Sequence, residues 1–179
     1  MGISSYAELK DFLIYEKELY LGNRNFFSII KLKYTNENLY YIWKYVSLLR
    51  KCEYYKNKGN LFFLAIYRRK KNKLGWQLGI DIHENCFDKG LRIFHGNIVV
   101  NNNAKIGKNC CLHGNNCIGN NGIVDLAPSI GDNVDIGYGA VVIGDICLTN
   151  DIIIGANAVV NKSFRNSKVI VGVPANKVR

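Results

Sequence analysis

A six-residue period runs through the C-terminal half of the chain. Steps of six residues fall on eleven positions that are all valine, isoleucine or leucine: Val100, Ile106, Leu112, Ile118, Val124, Ile130, Ile136, Val142, Leu148, Ile154 and Val160. If half of all positions were hydrophobic, chance would fill eleven positions of one phase in roughly one of two thousand trials. An amphipathic helix needs a period of 3.6 residues, so this pattern indicates short strands separated by turns.

Three hexads per turn predict a triangular prism of parallel strands, with the aliphatic residue of each hexad pointing inward. Residues 18 apart should then share a column. One predicted column holds Ile106, Val124, Val142 and Val160, and another holds Val100, Ile118, Ile136 and Ile154. The predicted fold class is mainly β, a parallel β-helix preceded by an α-helical segment. The period alone does not fix the handedness of the coil.

Charge divides the chain into two regions. The 179 residues carry a formal charge of +10, and 48% of them are hydrophobic, which excludes a disordered chain. Residues 1–74 contribute +9 of this charge, whereas residues 75–179 contribute only +1. We therefore predict a basic α-helical N-terminal segment over 1–74 and a β-helix domain over 75–179.

Three helices are predicted in the first region. An S-x-x-E capping box opens a helix over residues 5–20, and an apolar stripe with helical spacing predicts a second helix over 36–49. The third prediction covers residues 60–71, which end in the cations favoured at a helix C-terminus. Gly75 then marks a change of structure.

The basic run at residues 68–73 has two interpretations, a contact with an anionic polymer or membrane surface and a solvated helix end. Nucleic acid is not expected as a partner, because no recognised binding motif accompanies the charge. The apolar run at 61–67 is about a third of the length needed to cross a bilayer. With no secretory signal, the predicted location is cytoplasmic, with peripheral association at the inner membrane face as an extension.

The six cysteines show no C-x-x-C spacing. We expect them to be reduced and to act as small core hydrophobes, without disulfides or a zinc site.

The hexads, the segment LGIDIHENCFDKGLRIFHGN and the terminal GVPANKVR together resemble the hexapeptide-repeat acyltransferases. The resemblance is to the branch that contains serine acetyltransferases and the sugar O-acetyltransferases of capsule and lipopolysaccharide, and it covers about residues 75–179. It implies a left-handed parallel β-helix, a homotrimer, and acetyl-CoA bound between neighbouring prisms as co-substrate, with no metal.

Acetyl transfer to an alcohol requires a base that removes the hydroxyl proton. The family places this base at the histidine matching His95, which follows Phe94, a residue in phase with the inward positions. The serine acetyltransferase pattern pairs the base with an aspartate matching Asp81. His113 is 18 residues after His95, so the prism puts both on one column; it either assists at the site, by binding acceptor or moving protons, or is a structural turn residue. His83 is interpreted as structural.

The same resemblance supplies the residues expected to bind acetyl-CoA. Small or turn residues should line the pantetheine slot, cations should meet the phosphates, and a proline should shape the end of the groove. These residues are, in that order, Gly137, Tyr138, Gly139 and Ala156; Lys162, Lys177 and Arg179; and Pro174.

The acceptor is predicted from one departure. Serine acetyltransferases carry a second histidine just before a proline, and here that position is Ala127, before Pro128. We therefore predict an O-acetyltransferase acting on a hydroxyl of a surface polysaccharide or its sugar precursor, with a carbohydrate acceptor, and serine as the alternative acceptor. Two further alternatives are a non-catalytic β-helix scaffold and a zinc carbonic anhydrase on the same prism, although the histidines are 12 and 18 residues apart rather than five.

Overall fold

The computed structural model describes residues 2–165 and 167–178. Four helices come first: α1 (Tyr6–Leu21), α2 (Phe26–Tyr34), α3 (Asn38–Asn57) and α4 (Leu61–Leu78). Within the described part of the chain, none of the helices is long and apolar enough to cross a membrane.

Three of the helices match the predictions, and one was missed. The capping box at the start of α1 is present, with the Glu8 amide donating to the Ser5 hydroxyl oxygen and the Glu8 carboxylate accepting from the Ser5 amide. The missed helix, α2, is only nine residues long, begins at an Asn25 cap, and packs Ile29 and Leu32 against the core without fully burying any residue.

The change of structure predicted at Gly75 is wrong, because α4 continues to Leu78 and ends at Gly79 in a left-handed conformation. Gly75 is buried inside the helix, and a Cβ there would lie 2.4 Å from the Ile80 carbonyl oxygen and 2.9 Å from the Tyr45 ring. This glycine therefore lets the chain that leaves the helix pass close to it. The predicted boundary between residues 74 and 75 lies inside α4.

Fourteen short strands form a three-sided prism. Face 1 consists of five parallel strands: β1 (Ile80–Ile82), β3 (Ile98–Val100), β6 (Cys117–Gly119), β9 (Val141–Ile143) and β12 (Val159–Val160). Face 2 consists of three: β4 (Lys105–Ile106), β7 (Ser129–Ile130) and β10 (Cys147–Leu148). Face 3 consists of β2 (Arg92–Ile93), β5 (Cys111–Leu112), β8 (Asp135–Ile136), β11 (Ile153–Ile154), β13 (Val169–Val171) and β14 (Asn176–Lys177), with β14 alone antiparallel.

The predicted prism and its inward aliphatic residues are confirmed, but each predicted column holds only on either side of the loop between β6 and β7 and is wrong across it. Ile118 pairs with Val142 rather than with Ile136, because the loop between β6 and β7 inserts one extra hexad. Val124 lies in this loop and is 43% exposed, whereas the other ten positions of the repeat are buried. The column on face 1 therefore runs Val100, Ile118, Val142 and Val160.

The first coil also differs from the prediction, since Ile93 rather than Phe94 points inward. Ile93 pairs with Leu112, a separation of 19 residues, and is 2% exposed, while Phe94 is 36% exposed. The one additional residue in this coil turns Phe94 out of the core and onto the outer side of face 3.

Asparagines hold the tight corners of the prism. At the corner between faces 2 and 3, Asn109, Asn133 and Asp151 all have positive φ angles, a conformation that Asn and Asp tolerate better than most residues. The Asn109 side-chain amide donates to Asn133, 3.0 Å away, and the Asn133 amide donates to Asp151, 2.9 Å away. This ladder ties three successive coils together.

A buried ion cluster joins the helices to the first coil. The Arg50 guanidinium, on α3, lies 2.7 Å from the Glu16 carboxylate on α1 and 2.9 Å from that of Glu53. It also donates to the carbonyl oxygens of Phe87 and Asp88, each at 2.8 Å. Because a buried guanidinium needs all these partners, α1 and α3 are held against the start of the prism.

Two residues of the basic run at 68–73 form ion pairs with a buried carboxylate. Arg68 lies 2.9 Å from the buried carboxylate of Glu84, and the Lys71 ammonium lies 3.4 Å from it. Lys71 is 3% exposed and donates to the Ile82 carbonyl oxygen at 2.7 Å, so it is not part of a solvated helix end. The run is therefore not a continuous free patch of positive charge.

All six cysteines are free. Cys52, Cys86 and Cys110 are buried, as predicted for small core hydrophobes, whereas Cys147 is exposed. Burial raises the pKa of Cys52 to about 12 and that of Cys86 to about 11, so both thiols stay protonated.

Candidate active site

The pairing of the strands on face 3 aligns one position from each coil along the edge where face 3 turns into face 1. We call this the histidine edge; it consists of His95, Gly114, Tyr138, Ala156 and Gly172. At about 4.8 Å per coil, the edge is roughly 19 Å long. The predicted base and the residues predicted for the pantetheine slot, Gly137 to Gly139 and Ala156, thus lie along or beside one edge.

His95 is exposed at the first coil of the histidine edge. Directly next to it in the following coil is Gly114, where a Cβ atom would lie 2.7 Å from the His95 Cβ. The Gly114 amide is held by the side-chain oxygen of Asn116 at 2.9 Å, and the Asn115 amide donates to the Gly96 carbonyl at 3.0 Å. Gly114 therefore leaves space beside an imidazole that solvent and substrate can reach.

The prediction that His113 lies on the same column as His95 is wrong by one position. The extra residue of the first coil places His113 beside Phe94, with ring centroids 4.6 Å apart and planes tilted by 24°. The His113 Nε2 atom lies 2.8 Å from a carboxylate oxygen of Asp135 in the third coil. The two histidines are still neighbours, but His113 faces outward from face 3 rather than from the edge.

Asp81 lies on β1 of face 1, where it pairs in register with Val99 and is exposed. It lines an open cavity of about 370 Å³ together with Trp76 and Gly79. Among the described residues, no hydrogen bond or ion pair joins Asp81 to His95.

The predicted cofactor residues near the C-terminus are partly brought together. The Lys162 ammonium donates to the Asn176 side-chain oxygen at 2.7 Å, and the Asn176 amide donates to the Pro174 carbonyl oxygen at 3.1 Å. The Val173–Pro174 peptide bond is cis. Lys177 is part of β14, opposite Ile170. Arg179, predicted to bind phosphate, lies outside the described residues.

Sequence reasoning missed three residues beside His95. The six-residue period predicts that Phe94 points into the core, and it gives no signal for Arg92 or Asp135. The Arg92 guanidinium lies 4.7 Å from the centroid of the Phe94 ring, and Asp135 holds His113 on the same ring. Arg92 and Asp135 are the outward-facing residues of strands β2 and β8. The sequence pattern identifies them as neighbours only if the register of the strands is known.

Sequence comparison finds that this chain is similar to serine acetyltransferases. The serine acetyltransferase of Mycobacterium tuberculosis is 38% identical over 105 residues, which cover 56% of this chain and 45% of that protein. That of Staphylococcus xylosus is 33% identical over 134 residues, 68% of this chain and 62% of that protein. The chain thus spans about half to three fifths of the length of these curated relatives. No family model matches the chain.

Solved structures agree in fold. The structure of Neisseria gonorrhoeae serine acetyltransferase has a TM-score of 0.71 at 23% identity and covers 97% of this chain and 68% of that one. A serine acetyltransferase in complex with CoA has a TM-score of 0.72 at 20% identity and covers 97% and 71%. The predicted left-handed parallel β-helix with an N-terminal helical segment is confirmed.

The predicted polysaccharide or sugar acceptor is wrong, because these relatives are serine acetyltransferases, and the predicted closeness to capsule and lipopolysaccharide enzymes is not supported. Ala127, from which a non-serine acceptor was argued, is half-buried in the loop before β7 and does not outweigh this similarity. Similarity of sequence and of fold together supports a hexapeptide-repeat acyltransferase of the serine acetyltransferase branch.

Proposed function

We propose that this protein is a serine O-acetyltransferase that moves the acetyl group of acetyl-CoA to the hydroxyl of serine. The observation that carries the proposal is the exposed imidazole of His95 at one end of an edge whose other positions, apart from Tyr138, are glycine or alanine. The 38% identity to a serine acetyltransferase over 105 residues supports serine as the acceptor.

In this mechanism His95 is the general base. Its imidazole takes the proton of the serine hydroxyl as the oxygen attacks the thioester carbonyl carbon, which forms a tetrahedral intermediate. The negative charge that develops on the carbonyl oxygen needs hydrogen-bond donors within the site. When the intermediate collapses, the carbon–sulfur bond breaks and the imidazolium returns its proton to the departing CoA sulfur.

Acetyl-CoA is proposed to run along the histidine edge. Gly137, Gly139 and Ala156 allow the pantetheine arm to lie close to the backbone, since glycine and alanine leave room there, and the exposed Tyr138 is proposed to contact the arm. Lys162, Lys177 and Arg179 are the cations proposed for its phosphates, and Pro174 shapes the end of the groove. A groove of this kind is completed by a neighbouring prism, so we propose a homotrimer.

Two residues keep more limited roles in the proposal. Asp81 is proposed to orient His95, as the serine acetyltransferase pattern implies. His113 is proposed to act on the acceptor side of the site, because it packs beside the residue that precedes His95.

The proposal is tested by replacing His95 with alanine and following the loss of thioester absorbance with serine and acetyl-CoA. The expected rate is roughly 10² to 10⁴ times lower than that of the wild type, the contribution of a general base. His83→Ala is the matched control, since His83 is an exposed histidine outside the histidine edge and its loss should leave the rate near that of the wild type. A His95→Ala variant with a wild-type rate would overturn the assignment.

A further inference from the structure

The outer side of face 3 carries a partly exposed polar–aromatic cluster next to His95, which we call the face 3 cluster: Arg92, Phe94, His113 and Asp135. The Phe94 ring is its centre, with the Arg92 guanidinium 4.7 Å and the His113 ring 4.6 Å from its centroid. Asp135 lies 2.8 Å from His113 Nε2. The cluster adjoins the base directly, because Phe94 precedes His95 in the chain and Gly114 follows His113.

Exposure distinguishes this cluster from a structural one. Phe94 is 36% exposed, and the side chains of His113 and Asp135 are 39% and 44% exposed. Burial therefore does not account for an aromatic ring held between an arginine and a histidine. The exposed part of the Phe94 ring and the Arg92 guanidinium beside it offer an apolar contact next to a cation.

Arg92 is the member with unused binding capacity. In the part of the chain that the structure describes, its guanidinium makes no ion pair and no side-chain hydrogen bond, although it has five donors in a planar fork. Such a fork matches the two oxygens of a carboxylate. His113 and Asp135 are already engaged, because their side chains contact each other at 2.8 Å.

We propose that the face 3 cluster is the acceptor site of the enzyme, in which Arg92 binds the α-carboxylate of the hydroxy amino acid and the Phe94–His113 pair forms the wall against which it packs. Asp135 is a positioning residue that holds the His113 ring in place. This inference rests on the proposed function and specifies how serine is recognised with Ala127 before Pro128. The acceptor class is a small molecule that carries both a hydroxyl and a carboxylate.

The experiment compares three acceptors with acetyl-CoA: L-serine, 3-hydroxypropanoate, which keeps the carboxylate, and ethanolamine, which lacks it. For Arg92→Gln we expect kcat/KM to fall about 10- to 100-fold with serine and with 3-hydroxypropanoate, the value of a charge-assisted hydrogen bond. With ethanolamine it should change little. The ratio of serine to ethanolamine activity should therefore collapse in this variant.

Two further variants separate recognition from structural support. Arg92→Lys keeps the charge and should recover part of the lost serine activity, whereas Lys108→Gln removes a positive charge from an exposed position elsewhere on the prism and should leave the ratio unchanged. If Asp135 acts through His113, the double variant His113→Ala/Asp135→Asn should be no worse with serine than His113→Ala alone.

The outcomes are distinct. If the wild type does not acetylate serine, the proposed function and this inference both fall. If the wild type does so and Arg92→Gln lowers activity equally with all three acceptors, or not at all, then Arg92 only packs on Phe94 and the acceptor site lies elsewhere.

Discussion

Replacing Glu84 with glutamine removes the carboxylate around which three cations gather at the junction of helices and prism. The side chain of Glu84 is 2% exposed and lies 2.9 Å from Arg68, 3.4 Å from Lys71 and 3.5 Å from Lys56. Of these partners, Lys71 is itself buried. The substitution therefore leaves a buried ammonium without its counter-charge, which is the costly way to break a buried ion pair.

The size of the effect follows from the pKa of Glu84. Burial by itself raises this pKa, but the hydrogen bond from Arg68 and the charges of Lys71, Arg68 and Lys56 outweigh burial and hold it at about 2, below the ordinary 4.5. Because the folded-state pKa is the lower one, ionised Glu84 stabilises the fold above about pH 4.5, and the stabilisation is lost as the pH falls toward 2. It amounts to about 3 kcal/mol at neutral pH, of which about 1 kcal/mol is lost by pH 3.5.

Urea unfolding at pH 7 and at pH 3.5 measures both numbers. At pH 7 the free energy of unfolding of Glu84→Gln should be about 3 kcal/mol below that of the wild type, and the gap should be about 1 kcal/mol smaller at pH 3.5. Glu18→Gln, the same change at an exposed position of α1, should stay within about 0.5 kcal/mol of the wild type at both pH values. A gap that does not change with pH would refute the role of the ionised carboxylate.

Four further variants test the register and the close contacts. Ile118→Ala should lower the free energy of unfolding by about 2 to 5 kcal/mol, whereas Val124→Ala should change it by less than about 0.5 kcal/mol in the same urea titration. If both variants lost the same free energy of unfolding, Val124 would be a core residue and the repeat would run without a loop. Gly75→Ala should cost about 1 to 3 kcal/mol, because its Cβ meets backbone, and an unchanged midpoint would contradict that contact. Gly114→Ala should lower kcat by displacing His95, and an unaltered kcat would show that the space is not needed.

Periodicity predicted the prism but not its register, for a physical reason. The loop between β6 and β7 adds six residues, which is one full hexad, so the phase of the repeat continues unbroken through Val124. An insertion of that length cannot be seen in the period itself. The single extra residue of the first coil was hidden similarly, because an aromatic residue, Phe94, occupies the in-phase position.

The candidate site was predictable where one residue carried the signal and not where several had to meet. The predictions for His95, Gly137, Gly139 and Ala156 come from the resemblance to the hexapeptide-repeat acyltransferases, which matches them one residue at a time. The face 3 cluster needs the correct register of three coils, since Arg92, His113 and Asp135 belong to successive turns of the prism. The burial of Arg50 and Glu84 was not predicted either, because the pattern of apolar residues does not indicate which charged residues are buried in ion pairs.

The central claim, transfer of acetyl from acetyl-CoA to serine with His95 as base, is tested most directly by identifying the product. Mass spectrometry of the reaction of wild-type protein with serine and acetyl-CoA should show O-acetylserine in a one-to-one ratio with released CoA, and His95→Ala should yield roughly 10² to 10⁴ times less of both per unit time. Thioester consumption without acetylserine, or acetylserine formed equally fast by the His95→Ala variant, would contradict the account.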